Sequence, residues 1–324
     1  MRRRDFIKVI GGTAAFWPLD ASAQEPGRTY RLGGLTPSPR DAPHYVALFG
    51  ELYRLGFIEG QNLNVDWRGY GVRPEQFPEI AAELIKANVD VIFCAGDVAI
   101  RAAQQATATT PILGVTDDMV GSGLVRSLAR PGGNTTGVSI LATELDGKRQ
   151  DILIEAVPRL RRMVALADTN TTAPRQLQAL QDAAHARGVE LSIHPVAQAE
   201  EIEPAIDAAK ASNGAALNVL ASPVLFAHRQ VIIERVATLR LPAIYQWPEV
   251  ADDGGLIGYG PRLVSLWRDV VARQLVKILR GARPADMPVE QPTNFELVIN
   301  LRTAKAIGHE VPAGLVLRAD KVIE

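Results

Sequence analysis

From residue 30 onward, short apolar runs that fit strands alternate with segments whose apolar residues recur at helical spacing. In the first block the predicted strands are 30–35, 63–67, 89–94, 111–115 and 136–141. Between them lie predicted helices over 44–55, 74–87, 98–106 and 122–129, the last stopped by Pro131-Gly132-Gly133. The pattern restarts after residue 143. Predicted helices over 144–156, 175–187, 199–211 and 224–238 alternate with strands 163–167, 190–194, 215–220 and 243–245. A stretch over 254–258, a long helix over 261–280 and a strand over 295–300 complete the series. Such alternation implies an α/β fold with parallel sheets flanked by helices. Two blocks of similar size read as two doubly wound, Rossmann-like lobes.

Length and composition agree with that reading. The 324 residues exceed one ordinary domain. Hydrophobic residues at 47% and charged residues at 22% describe a packed globular chain. A net charge of −1 gives no basic field for nucleic acid. The single cysteine, Cys94, excludes an intramolecular disulfide and a cysteine-based zinc cluster.

The N-terminus reads as an export signal. Arg2-Arg3-Arg4-Asp5-Phe6-Ile7-Lys8 precedes a short apolar segment, and Ala21-Ser22-Ala23 offers small residues for cleavage after Ala23. Arg3-Arg4-x-Phe6-Ile7-Lys8 resembles the twin-arginine signal, with general secretory routing as the alternative. Gly11, Gly12 and Pro18 argue against an ordinary helix of the mature fold. Cleavage would leave a chain of net charge −3, expected in an extracytoplasmic space, most plausibly a periplasm.

In doubly wound sheets, ligands bind outside the carboxyl ends of the strands. Seven polar loops fall there: 36–39, 95–98, 116–119, 168–173, 221–223, 245–247 and 258–260. Their candidate ligand-binding residues are Thr36, Ser38, Gly96, Asp97, Asp117, Asp118, Asp168, Asn170, Ser222, Tyr245, Gln246 and Tyr259. Each has a plainer reading. The hydroxyls and carboxylates could cap helices, and Tyr245, Trp247 and Tyr259 could be ordinary core. Asp118 is the favoured ligand contact, because Ser122 would already cap the helix predicted after it.

Enzyme motifs are missing. There is no G-x-x-x-x-G-K-[ST], no G-x-G-x-x-G after the first strand and no G-x-S-x-G. His44, His185, His194, His228 and His309 form no metal-binding spacing. Paired Asp117 and Asp118 lack a partner nucleophile for acid/base work. Neither catalysis nor a cofactor is expected.

Several short blocks recur in a recognisable order. They are Gly60-Gln61-Asn62-Leu63, Arg130-Pro131-Gly132-Gly133-Asn134-x-Thr136-Gly137, Leu241-Pro242-Ala243-Ile244-Tyr245 and Gly255-Leu256-Ile257-x-Tyr259-Gly260. Ile278-Leu279-Arg280-Gly281-Ala282-x-Pro284-Ala285-Asp286, Pro288-Val289-Glu290-Gln291-Pro292-Thr293 and Phe295-Glu296-Leu297-Val298-Ile299-Asn300-Leu301 follow. With the basic start, they resemble the ABC-transporter substrate-binding protein family related to tryptophan/tyrosine-binding proteins, over essentially the whole chain.

The resemblance implies a type I periplasmic-binding fold, a small-molecule ligand in the interlobe cleft, and delivery to ABC permease membrane subunits. It implies a monomer with no nucleic-acid partner. It further implies a first lobe of residues 28–142 plus about 262–291, and a second of 143–261 plus about 292–324. Gly96-Asp97-Val98, Asp117-Asp118-Met119 and Asp168-Thr169-Asn170 depart from the family's usual loops. They make the cleft more acidic, favouring an ammonium or hydroxyl-rich ligand over a polyanion. An amino acid or aromatic compound is the family's default. A periplasmic ligand-sensing receptor and an extracytoplasmic hydrolase are the competing readings.

Overall fold

The computed structural model describes residues 27–324. The expected export signal and its expected cleavage site lie outside the described residues.

Among the described residues twelve strands form two sheets. The first contains β1 (Tyr30–Leu35), β2 (Leu63–Asp66), β3 (Val91–Ala95), β4 (Ile112–Thr116) and β5 (Thr135–Ser139), in the order β2-β1-β3-β4-β5. All four pairings are parallel. β3, Val-Ile-Phe-Cys-Ala, is buried along its whole length, as a central strand covered on both faces must be. β4 and β5 approach closely where Gly114 faces Gly137, and a Cβ on Gly137 would lie 1.8 Å from the Gly114 carbonyl oxygen.

The second sheet contains β6 (Arg162–Asp168), β7 (Glu190–Val196), β8 (Leu217–Val219), β9 (Ala243–Tyr245), β10 (Ile257–Gly260), β11 (Glu296–Asn300) and β12 (Lys321–Ile323). Its order is β12-β11-β10-β9-β8-β6-β7. The run β7-β6-β8-β9-β10 repeats the order of the first sheet, so each sheet has its topological switch point beside its first strand. β11 departs from the all-parallel expectation: it pairs antiparallel with β10.

The helices are α1 (Pro43–Arg54), α2 (Phe77–Lys86), α3 (Asp97–Ala106), α4 (Ala142–Ala156), α5 (Pro174–Ala186), α6 (Ile202–Ala211), α7 (Pro223–Ala227), α8 (Arg229–Thr238), α9 (Pro248–Asp252), α10 (Leu263–Leu266) and α11 (Ala272–Leu279), followed by two short C-terminal helices. α1 begins with Pro at its first position and buries Tyr45, Leu48 and Leu52 at helical spacing. It packs on α10 and α11, which are joined by a π-helical stretch, Trp267–Val271. The expected helix over 261–280 is therefore interrupted. The expected helix over 224–238 is likewise two helices, broken at His228.

The expected helix over 122–129 does not form. Residues 119–128 make tight turns, in which Gly121 N donates to Asp118 Oδ1 (2.7 Å) and Leu124 N to the Met119 carbonyl (3.0 Å). Two glycines weaken the segment as a helix, and Gly123 takes φ +70°. Leu124 and Val125 still bury, which accounts for the apolar signal. Ser122 therefore caps no helix there.

Three segments pass between the sheets. The first leaves β5 through Leu141, whose φ of 60° and ψ of 35° are left-handed, and enters α4. The second runs from β10 in the second sheet to α10 against the first. In the third, Glu290 exchanges backbone hydrogen bonds with Gly137 and Ser139 of β5, both 2.9 Å, before the chain enters β11. Among the described residues no helix is long and apolar enough to cross a membrane.

Candidate functional site

The parallel strands β1 to β5 of the first sheet and β6 to β10 of the second point their carboxyl ends at a common cleft. A small cavity of about 50 Å³ lies there. The first sheet contributes the ends of β1 (Ser38), β3 (Ala95, Gly96) and β4 (Thr116, Asp117). The second contributes residues after β6 (Thr171), β8 (Ser222, Pro223) and β9 (Gln246, Trp247). These positions flank both switch points.

Five of the twelve candidates line the cavity: Ser38, Gly96, Asp117, Ser222 and Gln246. Four others lie just behind it as supports. Thr36 Oγ1 accepts from Tyr45 Oη (2.8 Å) and from Ser38 N (3.1 Å), fixing the loop after β1. Asp97, buried at the start of α3, accepts a hydrogen bond from Thr116 Oγ1. Asp168 accepts from Ser222 Oγ (2.7 Å) and Asn170 N (2.8 Å). Asn170 in turn donates to the Ala197 carbonyl (3.0 Å). Ser222 also caps α7, its Oγ accepting from Val224 N (3.0 Å) and Leu225 N (3.1 Å). The Gln246 amide grips the Ser222 backbone at both ends, accepting at 2.9 Å and donating at 3.0 Å.

The remaining three stand apart. Tyr245 is buried with its ring against Gly255. Tyr259 lies within β10, its ring 6.5 Å from that of Phe295. Asp118 sits at the rim, its carboxylate half-exposed and 3.5 Å from Arg175 Nη2.

Most of an aromatic wall escaped the sequence reading, which places only Trp247 of its rings beside the cleft. His44 and Tyr45 of α1, Phe226 of α7, Trp247 after β9 and Trp267 of the π-helical stretch all line the cavity. The His44 ring lies 4.3 Å from Tyr45, 5.2 Å from Trp267 and 5.8 Å from Phe226, centroid to centroid. Burial, and secondarily the charge of Arg229, push the His44 pKa down to about 3, so the ring is neutral at ordinary pH. Burial likewise raises the Tyr45 hydroxyl. The periodicity of α1 marks these rings as inward, and only the tertiary fold turns that face toward the cleft.

Beneath the cavity lies a buried polar cluster. Arg149 and Asp146 of α4 pair at 2.8 Å, both essentially inaccessible. Gln176 Nε2 donates to Asp146 Oδ2 at 2.5 Å. Burial pulls the Arg149 guanidinium below its usual range, an effect opposed by Asp146 and Asp117. Asp117 is the unpaired member: its Oδ2 is buried with no hydrogen-bond partner among the described residues. Burial raises its carboxyl well above the usual carboxylate range, reinforced by Asp146, Asp97 and Asp168 and opposed by Arg149. No group of metal-ligating side chains capable of holding an ion occurs among the described residues.

The sequence model of the ABC transporter substrate binding protein family matches residues 48–323. The chain belongs to that family. A tyrosine-binding protein of Clostridioides difficile is 25% identical over 258 residues, covering 78% of this chain and 72% of that one. The crystal structure of a conserved domain protein from Vibrio cholerae superposes with a TM-score of 0.81 at 22% identity, over 91% of this chain and 99% of that one. The crystal structure of an ABC domain from Streptococcus pneumonia in complex with L-Trp gives 0.78 at 20% identity, over 91% and 100%. These two likenesses establish the type I periplasmic-binding fold.

Proposed function

We propose that this chain is the extracytoplasmic solute-binding component of an ABC importer, exported through its N-terminal signal. It takes up a small organic amine with an apolar body and presents it to a membrane permease. The observation that carries the ligand class is the composition of the interlobe cavity. Aromatic rings wall it, His44 among them is neutral, and Asp117 is its single carboxylate. Rings and a carboxylate together recognise an ammonium group on an apolar frame, through cation–π and charge-assisted contacts. The C. difficile relative's name and the bound L-Trp of the S. pneumonia structure favour an aromatic amino acid.

The cavity volume supports a closing motion. About 50 Å³ corresponds to only a few water molecules. A tyrosine or tryptophan is larger, so the lobes must part to admit it and re-close around it. The three crossing segments are the hinge in this reading.

The test is a thermal-shift screen of the mature protein with the twenty amino acids, tyramine, tryptamine and the deaminated aromatic acids. Ligand at 100 times its dissociation constant adds about 2.7 kcal/mol of stability. Amines should shift the midpoint and their deaminated counterparts should not. Equal shifts from the deaminated acids would overturn the amine assignment.

A further inference from the structure

Two buried polar atoms of cavity-lining residues have no hydrogen-bond partner among the described residues, Trp267 Nε1 and Asp117 Oδ2, and of these only Asp117 can carry a charge. Asp117 follows the last residue of β4 and lines the cavity, yet its Oδ2 has no donor within reach among the described residues. The charged groups around it are unbalanced. Asp97 faces it from α3, Asp168 from the end of β6, and Asp146 from α4. Arg149, also on α4, is the single cation of this set and is engaged with Asp146 at 2.8 Å. From α1 the cavity receives His44, whose ring is neutral and brings no charge. The exposed pair Asp118–Arg175 stands at the rim.

An ionised carboxylate with a buried, unpaired oxygen, facing three further acids and one already-committed arginine, is strongly disfavoured. A protonated carboxyl relieves this by removing the charge. A cation in the cavity relieves it equally, by supplying the missing donor and the missing positive charge together.

We propose that Asp117 holds a proton in the empty cleft and gives it up when a ligand ammonium takes its place. The inference rests on the amine-binding reading above and adds a proton to its stoichiometry. On binding, the Asp117 O–H bond breaks and the proton passes to solvent. The ligand ammonium keeps its own protons and donates a hydrogen bond to the freed carboxylate. Charge at the Asp117 contact is conserved: one proton leaves as one ammonium group arrives. The exchange selects against ligands that lack an ammonium group, which cannot compensate the ionised form. It also couples capture to pH. Affinity rises with pH as long as the empty site is protonated, because the departing proton competes with the ligand.

The test is calorimetric titration of the wild-type protein with L-tyrosine and L-tryptophan in two buffers of different ionisation enthalpy. About one proton should be released per ligand bound at pH 6. Affinity should rise about tenfold between pH 5 and pH 6, the signature of a single linked proton. In Asp117→Asn, which cannot ionise, the release and the pH dependence should vanish. Binding by wild type without proton release would overturn the exchange while leaving the amine reading intact. Binding of neither amino acid, with deaminated acids bound instead, would overturn both. Proton release that persists in Asp117→Asn would move the role to another acid, such as Asp168, and overturn the assignment. Independently of any ligand, infrared difference spectra of the empty protein at neutral pH should contain a protonated carboxyl band that Asp117→Asn removes. Its absence from wild type would overturn the proposal.

Discussion

Asp118 and Arg175 form an ion pair across the mouth of the cleft, Oδ2 to Nη2 3.5 Å, one partner following β4 and the other on α5. Their side chains are 43% and 70% exposed, and exposed pairs of this kind contribute about 0–1 kcal/mol. Asp118 therefore acts as a weak clasp between the two lobes. Asp118→Asn should change ligand affinity by less than about fivefold, the ceiling set by such a pair. Calorimetric titration checks this. A loss beyond tenfold would return Asp118 to the ligand shell, where its sequence position first suggested it belonged.

His44 should govern the acid side of the stability profile. Its folded pKa of about 3 lies below the ordinary 6.5, so the unfolded chain binds the proton more readily. The stability that neutral His44 contributes is present above pH 6.5 and is lost as pH falls toward 3. Below pH 6.5 the slope is about 1.4 kcal/mol per pH unit. Urea unfolding of wild type and His44→Gln between pH 4.5 and 7.5 should show curves that converge as pH falls. Parallel curves would mean that His44 is not the linked group.

Asp117 has the opposite sign. A carboxyl raised in the folded state destabilises that state as pH rises from the unfolded value, about 4, through the folded one. Asp117→Asn should thus gain stability relative to wild type with increasing pH. Chemical denaturation at pH 5 and pH 8 measures the difference. A gap that is constant between the two would argue for an Asp117 that is charged throughout.

Arg149 and Asp146 are paired in a site without solvent. Removing one leaves the other buried and unpaired, which costs about 3–5 kcal/mol. Arg149→Met should show that loss in urea unfolding. Adding Asp146→Leu should recover most of it, since a well-packed apolar pair is often no less stable than a buried ionic one. Failure of the second change to recover stability would mean that Gln176 or the Tyr259 carbonyl depends on the pair for its own partner.

Gly96 fixes how closely the lobes can approach. Its φ is +92°, and a Cβ there would lie 2.8 Å from Pro223 Cγ on the opposite side of the cleft. Gly96→Ala should lower thermal stability by about 1–3 kcal/mol through the backbone alone. It should also hold the cleft wider, raising the radius of gyration of the ligand-bound protein in small-angle scattering. An unchanged bound-state radius would show that Pro223 yields instead.

The ends of the strands were legible because composition changes there: Thr36-Pro37-Ser38, Gly96-Asp97 and Ser222-Pro223 punctuate apolar runs. Order along the chain, with the switch-point rule, then located the cleft. The aromatic wall was hidden for a physical reason. Periodicity reports that Tyr45 and Trp267 face inward, and is silent on whether inward means core or cavity. The turn region 119–128 misled because Leu124, Val125 and Leu128 have helix-like spacing. Two glycines and the Asp118 side chain satisfy the backbone by turns instead. β11 runs antiparallel because the chain reaches it from the other sheet, so no crossover helix dictates its direction.

The packing of α10 and α11 on α1 sets the order in which the protein can mature. On the ribosome, β1 to β5 emerge first, yet the apolar stripe of Tyr45, Leu48 and Leu52 is covered by residues 263–279. More than 200 residues separate the two halves of that contact. The first sheet's layer must wait, with a greasy face showing, until β6 to β10 of the second sheet have been synthesised. A chain that stops after Gly260 would carry every strand of the first sheet and still be a client for chaperones.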